Sequence, residues 1–423
     1  MRKPFKLATA LLVGAALAGS VNFVATCSAF AADEKSDKDK AKPTVSKEAA
    51  KPLKAAQEDI TAKKYQDGIT ELRKVEALPK KSPYDEYALN KLMGFALLKT
   101  GDQAGAIKYL EPLLSSQYLE QSEVPQYTNA LTTVYYQTKN YDKAIEYGNK
   151  AIKGGFPDDN TYIIVSQSYY TKGDYKNALK FTESTVDMEI KEGKMPKEAQ
   201  LILILNSCLK LEDNPCQTHA MERLVTYFPK PEYWQNLVLV LLQGRDANND
   251  KTLLDVYRLA AEVDVMKRAD DYTEMAQLAI EAGSPGEAVQ VLEKGFAKNV
   301  FGDQREKDRN QRLLDSAKKQ AAIDQASLAK LANEAGNSKT GDRDVALGVA
   351  YLGYQQYDKA TDALKGGLMK GGVKNEPEAR LLLGIAELKA GHKDEASQAF
   401  RQVKGDPTLE RLANLWTLHA RQA

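Results

Sequence analysis

One short phrase returns along this chain at a nearly constant spacing, and it limits the fold more than anything else in the sequence. The phrase is a turn residue, an Asp or Tyr, two residues, a small residue and an aliphatic one. It stands at Lys64–Ile69, Gly101–Ile107, Asn140–Ile145, Gly173–Leu179, Gly283–Val289, Gln356–Thr361 and Gly391–Ser397. Anchored on Tyr65, Gln103, Tyr141, Tyr175, Pro285, Tyr357 and Lys393, the spacings are 38, 38, 34, 110, 72 and 36. The last three are close to three, two and one periods of about 36, the length of a helical hairpin repeat. A unit this short cannot bury its apolar face alone, so it must stack on its neighbours. Ten units fit between Ala49 and the C-terminus, three of them degenerate.

Each unit has an upstream half with helical spacing, as in Leu89, Met93, Gly94 and Leu97 or Tyr162, Val165, Ser166 and Tyr169. A small residue (Gly94, Ser166, Ala276, Gly348, Gly384) marks where two helices approach closely. Downstream, Ala106, Ala144, Ala178, Ala288, Ala360 and Ala396 let the second helix cross the first. The Gly or Asn between the halves is expected to leave helical geometry cheaply. This pattern resembles the tetratricopeptide repeat, Trp-x2-Leu-Gly-x2-Tyr then Ala-x3-Phe then Pro. Ala396 with Phe400 matches its second half, whereas Gly148 and Thr182 replace the large residue. The resemblance implies an all-α, right-handed superhelical solenoid of about ten helix-turn-helix units spanning 49–423. The clearest units are near 49–80, 87–115, 125–155, 159–190, 269–298, 341–370 and 377–405. Degenerate units near 198–228, 231–261 and 302–335 are also read as helix pairs, because their apolar residues keep helical spacing. A helix over 409–420, with Trp416, is expected to cap the array, in which each unit touches only its neighbours.

The N-terminus reads as an address. Arg2, Lys3 and Lys6 precede an apolar run from Leu7 to Ala18, and Ala29-Phe30-Ala31 offers small residues for cleavage. This is the form of a secretory signal peptide over 1–31, cut near Ala31 and leading to a bacterial periplasm. An uncut anchor over Leu7–Val24 and a lipoprotein box at Val24–Cys27 are the alternatives. The Lys/Asp-rich stretch 32–48 reads as a flexible polar spacer. With 59 Lys+Arg against 58 Asp+Glu, the chain has no basic excess for nucleic acid. No membrane insertion is expected after cleavage, since no other long apolar stretch exists.

Catalytic motifs are missing from the sequence: there is no H-E-x-x-H, G-x-S-x-G or G-x-x-x-x-G-K-[ST]. The expectation is a non-enzyme without cofactor or metal. After cleavage Cys208 and Cys216 remain, flanking the turn Leu209–Pro215. An even pair in an oxidising compartment suggests a disulfide. Two separate buried thiols are an alternative, as is a metal site with His219, for which a fourth ligand is missing.

In the tetratricopeptide family, first-helix positions 2, 5, 9, 12 and 13 line a concave binding face. Carried over, the rule selects Lys91, Phe95, Asn129, Tyr136, Gln137, Asn160, Ile163, Gln167 and Tyr170. Amides pair with an extended peptide backbone, and Tyr supplies contact area with few rotors to freeze. The carboxylate clamp of chaperone-type members is not repeated, because Lys91 is followed by Phe95. The order of elements, with Leu224–Trp234, Ala276–Gly283 and Gly295-Phe296, also resembles secreted bacterial repeat proteins found beside TonB energy-transduction components. The sequence reading is therefore a periplasmic scaffold that binds a protein or peptide of the cell envelope, accessory to a TonB-type system. Assembly of a polysaccharide or pilus exporter is a second reading, and a glycan-binding module a third.

Overall fold

The computed structural model describes residues 43–243 and 250–422. The signal segment, its cleavage site at Ala31, Cys27 and the spacer as far as Lys42 lie outside these. Twenty α-helices and no strands occur among the described residues. The chain divides into two compact units, before and after Asp213. The first unit holds α1 (Lys47–Thr61), α2 (Tyr65–Glu76), α3 (Pro83–Thr100), α4 (Gln103–Leu113), α5 (Val124–Gln137), α6 (Tyr141–Lys153), α7 (Thr161–Thr171), α8 (Tyr175–Lys191) and α9 (Glu198–Lys210). Successive helices pair as hairpins, and first helices also touch first helices: α1 with α3, α5 with α7, α7 with α9. The second unit holds α10 (Asn214–Tyr227), α11 (Pro231–Gln243), α12 (Asp250–Glu262), α13 (Ala269–Glu281), α14 (Pro285–Ala297), α15 (Gln304–Asn337), α16 (Asp342–Gly353), α17 (Tyr357–Lys370), α18 (Glu376–Ala390), α19 (Lys393–Arg401) and α20 (Pro407–Gln422).

The hairpins share one crossing register. A Cβ on Gly94 would lie 2.6 Å from Leu110, one on Gly348 2.5 Å from Leu364, and one on Gly384 2.4 Å from Phe400. In each case the partner is sixteen residues on. The crossing Ala residues 106, 144, 178, 288, 360 and 396 are fully buried. Where the sequence departs from the family pattern, the sizes exchange across the same crossing. Gly148 faces Thr132, and the room it leaves is filled by Val165 of the next hairpin, 2.3 Å from where a Cβ would stand. Ser166 and Thr182 are both buried, and each hydroxyl donates to a carbonyl of its own helix, Tyr162 O and Ala178 O. The volume between two helices is what must be conserved, and either side can supply it.

The turn residues leave helical geometry, as expected, but not all in the left-handed region. Gly101, Gly173, Gly283 and Gly391 do take φ between 73° and 90°. Asn140 does not: its φ is −87° and its side chain caps α6 by accepting from Lys143 N. The left-handed residue there is Lys139, at φ 62°, as are Lys63 and Gln355 in their turns. The position demands the conformation, and the side chain tolerates it.

Three sequence readings need correction. The unit near 302–335 is not a helix pair but the single 34-residue helix α15. Between Asp303 and Gly336 there is no Gly or Pro to open a turn, and strong helix formers propagate through the charged stretch. Helix α1 starts at Lys47, inside the stretch read as spacer. Ser46 caps it by accepting from Ala49 N, while Ser46 N donates to the buried carboxylate of Asp85 at the head of α3. The second unit is not purely nearest-neighbour. Its last helix, α20, packs on α18 and α19 and also on α12. Arg411 pairs with Glu222 of α10 across 189 residues, and Gln422 Nε2 donates to Val225 O. Glu262 of α12 receives both Lys389 and His419.

Candidate partner-binding site

The residues selected for the concave face fall on α3, α5 and α7 and the turns before them. Most are engaged from one hairpin to the next. Lys91 Nζ lies 2.7 Å from Glu123 and its ammonium sits over the Tyr87 ring. Burial works against that charge, yet Glu123 and Tyr87 hold the Lys91 pKa above its usual value. Asn129 Nδ2 donates to Phe156 O at 2.9 Å, and its carbonyl accepts from Thr161 at 3.0 Å. Tyr136 Oη donates to Gln167 Oε1 at 2.8 Å. These rungs join positions 32, 32 and 31 residues apart, so they fix the pitch between adjacent hairpins as well as presenting polar surface.

Phe95 is placed differently from the rest. It is buried, with its ring edge-on to Tyr65 at 6.2 Å, and belongs to the core as much as to the face. Asn160, Ile163, Gln167 and Tyr170 are half-buried, and Gln137 is exposed. Tyr170 packs on Tyr175 at 5.2 Å and Tyr136 on Tyr141 at 5.9 Å. The face is thus a surface of amides and tyrosines whose nearby charges are already matched.

A second ladder joins the second helices and was missed in the sequence. Glu76 accepts from Tyr109 at 2.8 Å, and Glu111 accepts from Tyr147 at 2.8 Å. Burial alone would raise the Glu111 pKa, but hydroxyl bonds from Tyr147 and Tyr135 and the charge of Lys143 hold it below the usual value. Burial, then Glu111, pushes Tyr135 up to about 12 and raises Tyr147 as well. The signal was a Glu followed by a Tyr 33 or 36 residues on, one repeat away.

Cys208 and Cys216 are joined in a disulfide, which removes the thiolates that a metal site with His219 would need. Among the described residues no cluster of three His, Cys, Asp or Glu side chains is arranged to hold a metal ion. None of the described helices is long and apolar enough to cross a membrane. His392, exposed in the turn before α19, contacts Glu387 at 2.8 Å.

Residues 92–160, from mid-α3 through α6, match the tetratricopeptide repeat family model. That segment carries tetratricopeptide repeats, and hairpins with the same sixteen-residue crossing extend beyond it. No curated protein matches the sequence. Among solved structures, the chain is similar to Naa15/Naa10 bound to HypK-THB, at 11% identity over 88% of this chain and 66% of that one, with a TM-score of 0.37. It is also similar to the TPR2AB domain of yeast Sti1 in its pHSP90 complex, at 13% identity over 71% and 100%, TM-score 0.25. The apo form of RapI aligns at 14% identity over 77% and 88%, TM-score 0.34.

Proposed function

We propose that this chain is a non-enzymatic scaffold of the bacterial periplasm that binds a protein or peptide partner along the α3–α5–α7 face. The observation that carries the reading is the common register of that face. Lys91 to Glu123, Asn129 to Thr161 and Tyr136 to Gln167 each bridge positions 31 or 32 residues apart, with tyrosine rings and amides left half-buried beside them. Such a surface offers an extended segment both contact area and backbone partners. The signal-like N-terminus and the Cys208–Cys216 disulfide support an oxidising extracytoplasmic compartment. The likeness of Leu224–Trp234 to secreted repeat proteins beside TonB components makes a TonB-type system the first process to test.

The test is in-cell photocrosslinking from Gln137 of a tagged full-length chain, with mass spectrometry of what is captured and fractionation to locate the protein. Capture of one or a few envelope proteins, lost on Tyr136→Ala plus Tyr170→Ala, is the expected result. A chain that is folded, abundant and uncrosslinked would refute the scaffold reading, and a cytoplasmic chain would refute the location.

A further inference from the structure

Over Thr252–Ala260 every residue of α12 is buried, Asp255 and Arg258 among them. The second helices α4, α6, α8 and α14 each keep exposed residues along their length. A helix covered on all sides belongs to an interior. The ion pairs identify what covers the outer side of α12. Lys389 of α18 pairs with Glu262, and His419 of α20 places Nε2 3.4 Å from the same carboxylate. Burial raises the Asp255 pKa, Arg258 opposes it, and the charge of Glu378 raises it again, which puts the head of α18 near the middle of α12. At the same junction the rings of Trp234 on α11 and Trp416 on α20 meet His419 edge-on, each at 6.3 Å. Gly384 and Gly94 occupy the same place in their hairpins, each against the residue sixteen further on. Glu378, Leu381, Ile385 and Lys389 of α18 are therefore the counterparts of Ala88, Lys91, Phe95 and Lys99 on α3. On α5 and α7 this row is largely polar and half-buried. On α18 its centre is apolar and closed, with Leu381 at 0% and Ile385 at 4% exposure, and its two ends address α12.

We infer that the α18–α20 row is a second binding groove, made for an amphipathic helix of a partner protein that ends in a carboxylate, and that α12 fills it in cis. The groove supplies an apolar centre and, at one end, Lys389 and His419 as donors to an acidic last turn. This is helix-in-groove recognition. Helix α12 meets the description, with Glu262 as its last residue. It is an imperfect occupant. Asp255 Oδ2 is buried without a partner, and an unpartnered buried oxygen costs stability outright. Arg258 is held by Asp255 and by both oxygens of Glu287 on α14. Buried ion pairs add little net stability, because desolvation offsets the attraction. The bond to Glu287 also ties α12 to its own neighbours, so α18 and α20 can lift away while α12 stays in place. A partner helix with the same acidic end and an apolar residue where Asp255 stands has the advantage in the groove. This site is separate from the α3–α5–α7 face and needs no part of that reading.

The experiment is fluorescence anisotropy with the full-length chain and a labelled peptide of the α12 sequence, Asp250–Glu262. A Glu262→Lys chain, whose α12 is repelled by Lys389, should bind the peptide about tenfold more tightly than the parent does. Adding Lys389→Glu restores the pairing in cis and should exclude the peptide again. The two tryptophans of the chain are both buried at the junction, so their emission should shift to the red in Glu262→Lys and return in the double variant. A peptide carrying Asp255→Leu should bind the Glu262→Lys chain more tightly than the unaltered peptide. Equal peptide binding by parent and Glu262→Lys overturns the inference. So does loss of hydrogen-exchange protection throughout α10–α20 in that variant, since α12 is then plain core. On the unaltered chain, hydrogen exchange should open α18 and α20 before α13 and α14. One opening event for the whole unit also overturns the inference. Crosslinking from Gln137 reads the face of the first unit alone, so the two proposals fail separately.

Discussion

Gly384→Ala tests the crossing register most sharply. The added methyl would sit 2.4 Å from both Cδ1 and Cε1 of Phe400 and 2.9 Å from Cζ. Normal contact begins near 3.4 Å, so ring or helix must yield by about 1 Å. Phe400 is 2% exposed and its ring lies on Trp416 of α20 at 6.1 Å, itself 1% exposed, so the ring has little room to move. Overpacking of a filled core costs about 1–3 kcal/mol. Replacing Gly by Ala inside a helix returns about 1 kcal/mol. A contact this short on so enclosed a ring calls for the upper part of that range, about 2–3 kcal/mol, so the net expectation is a loss of about 1–2 kcal/mol, or roughly 2–8 °C in midpoint for a unit of this size. The assay is thermal denaturation followed by circular dichroism, with two companions. Gly336→Ala, whose methyl meets nothing within 4 Å in α15, should stabilise by about 0.5 kcal/mol. Gly384→Ala on a Phe400→Leu background should cost less than it does alone, because the smaller side chain accepts the methyl. A stable Gly384→Ala protein, or additive effects in the double variant, would refute the register.

The remaining tests address charge, covalent bracing and closure. Asp255 is buried with Oδ2 unpartnered; burial pushes its pKa up to about 6, against Arg258 and with Glu378 and Glu287 nearby. Its proton is therefore held more tightly in the folded chain, so stability should be greatest below about pH 4 for this group and fall as pH rises to about 6. The loss is of order 3 kcal/mol at most, and Asp255→Asn should flatten the midpoint against pH over that window. Glu262 acts oppositely: burial alone would raise its pKa, but His419 and Lys389 hold it to about 2, so its contribution should fade as pH drops from about 4.5 towards 2, and Glu262→Gln should remove that acid limb. Reducing the Cys208–Cys216 bond, or Cys208→Ser with Cys216→Ser, should cost about 2–3 kcal/mol by freeing a short loop, read as a lower midpoint in reductant that the double variant no longer shows. Arg411→Ala should speed hydrogen exchange in α10 as well as α20, although 189 residues separate the pair; an effect confined to α20 would mean that the return contact holds nothing.

The repeat, its period and its crossing positions were legible because they are local: a small residue and its partner sixteen positions away lie within one hairpin, where spacing alone decides contact. The left-handed turns were legible where Gly occupied them and hidden where Lys139 or Gln355 did, since the backbone imposes the conformation and no residue type announces it. Of the expected binding face, the positions could be chosen from the resemblance, but not which side chains the fold would consume. Phe95 entered the core, and Lys91, Asn129 and Tyr136 became rungs, because each found a partner about one repeat away, at a distance set by how hairpins stack. Helix α15 escaped the period because the absence of a turn residue outweighs a count of repeats. The sequence by itself determined an all-helical chain of hairpins, through spacing, small residues and caps acting within about forty residues. Only the tertiary structure decided that α20 returns to α10 and α12, because Glu222, Glu262, Lys389 and Arg411 are ordinary surface charges until packing brings them together.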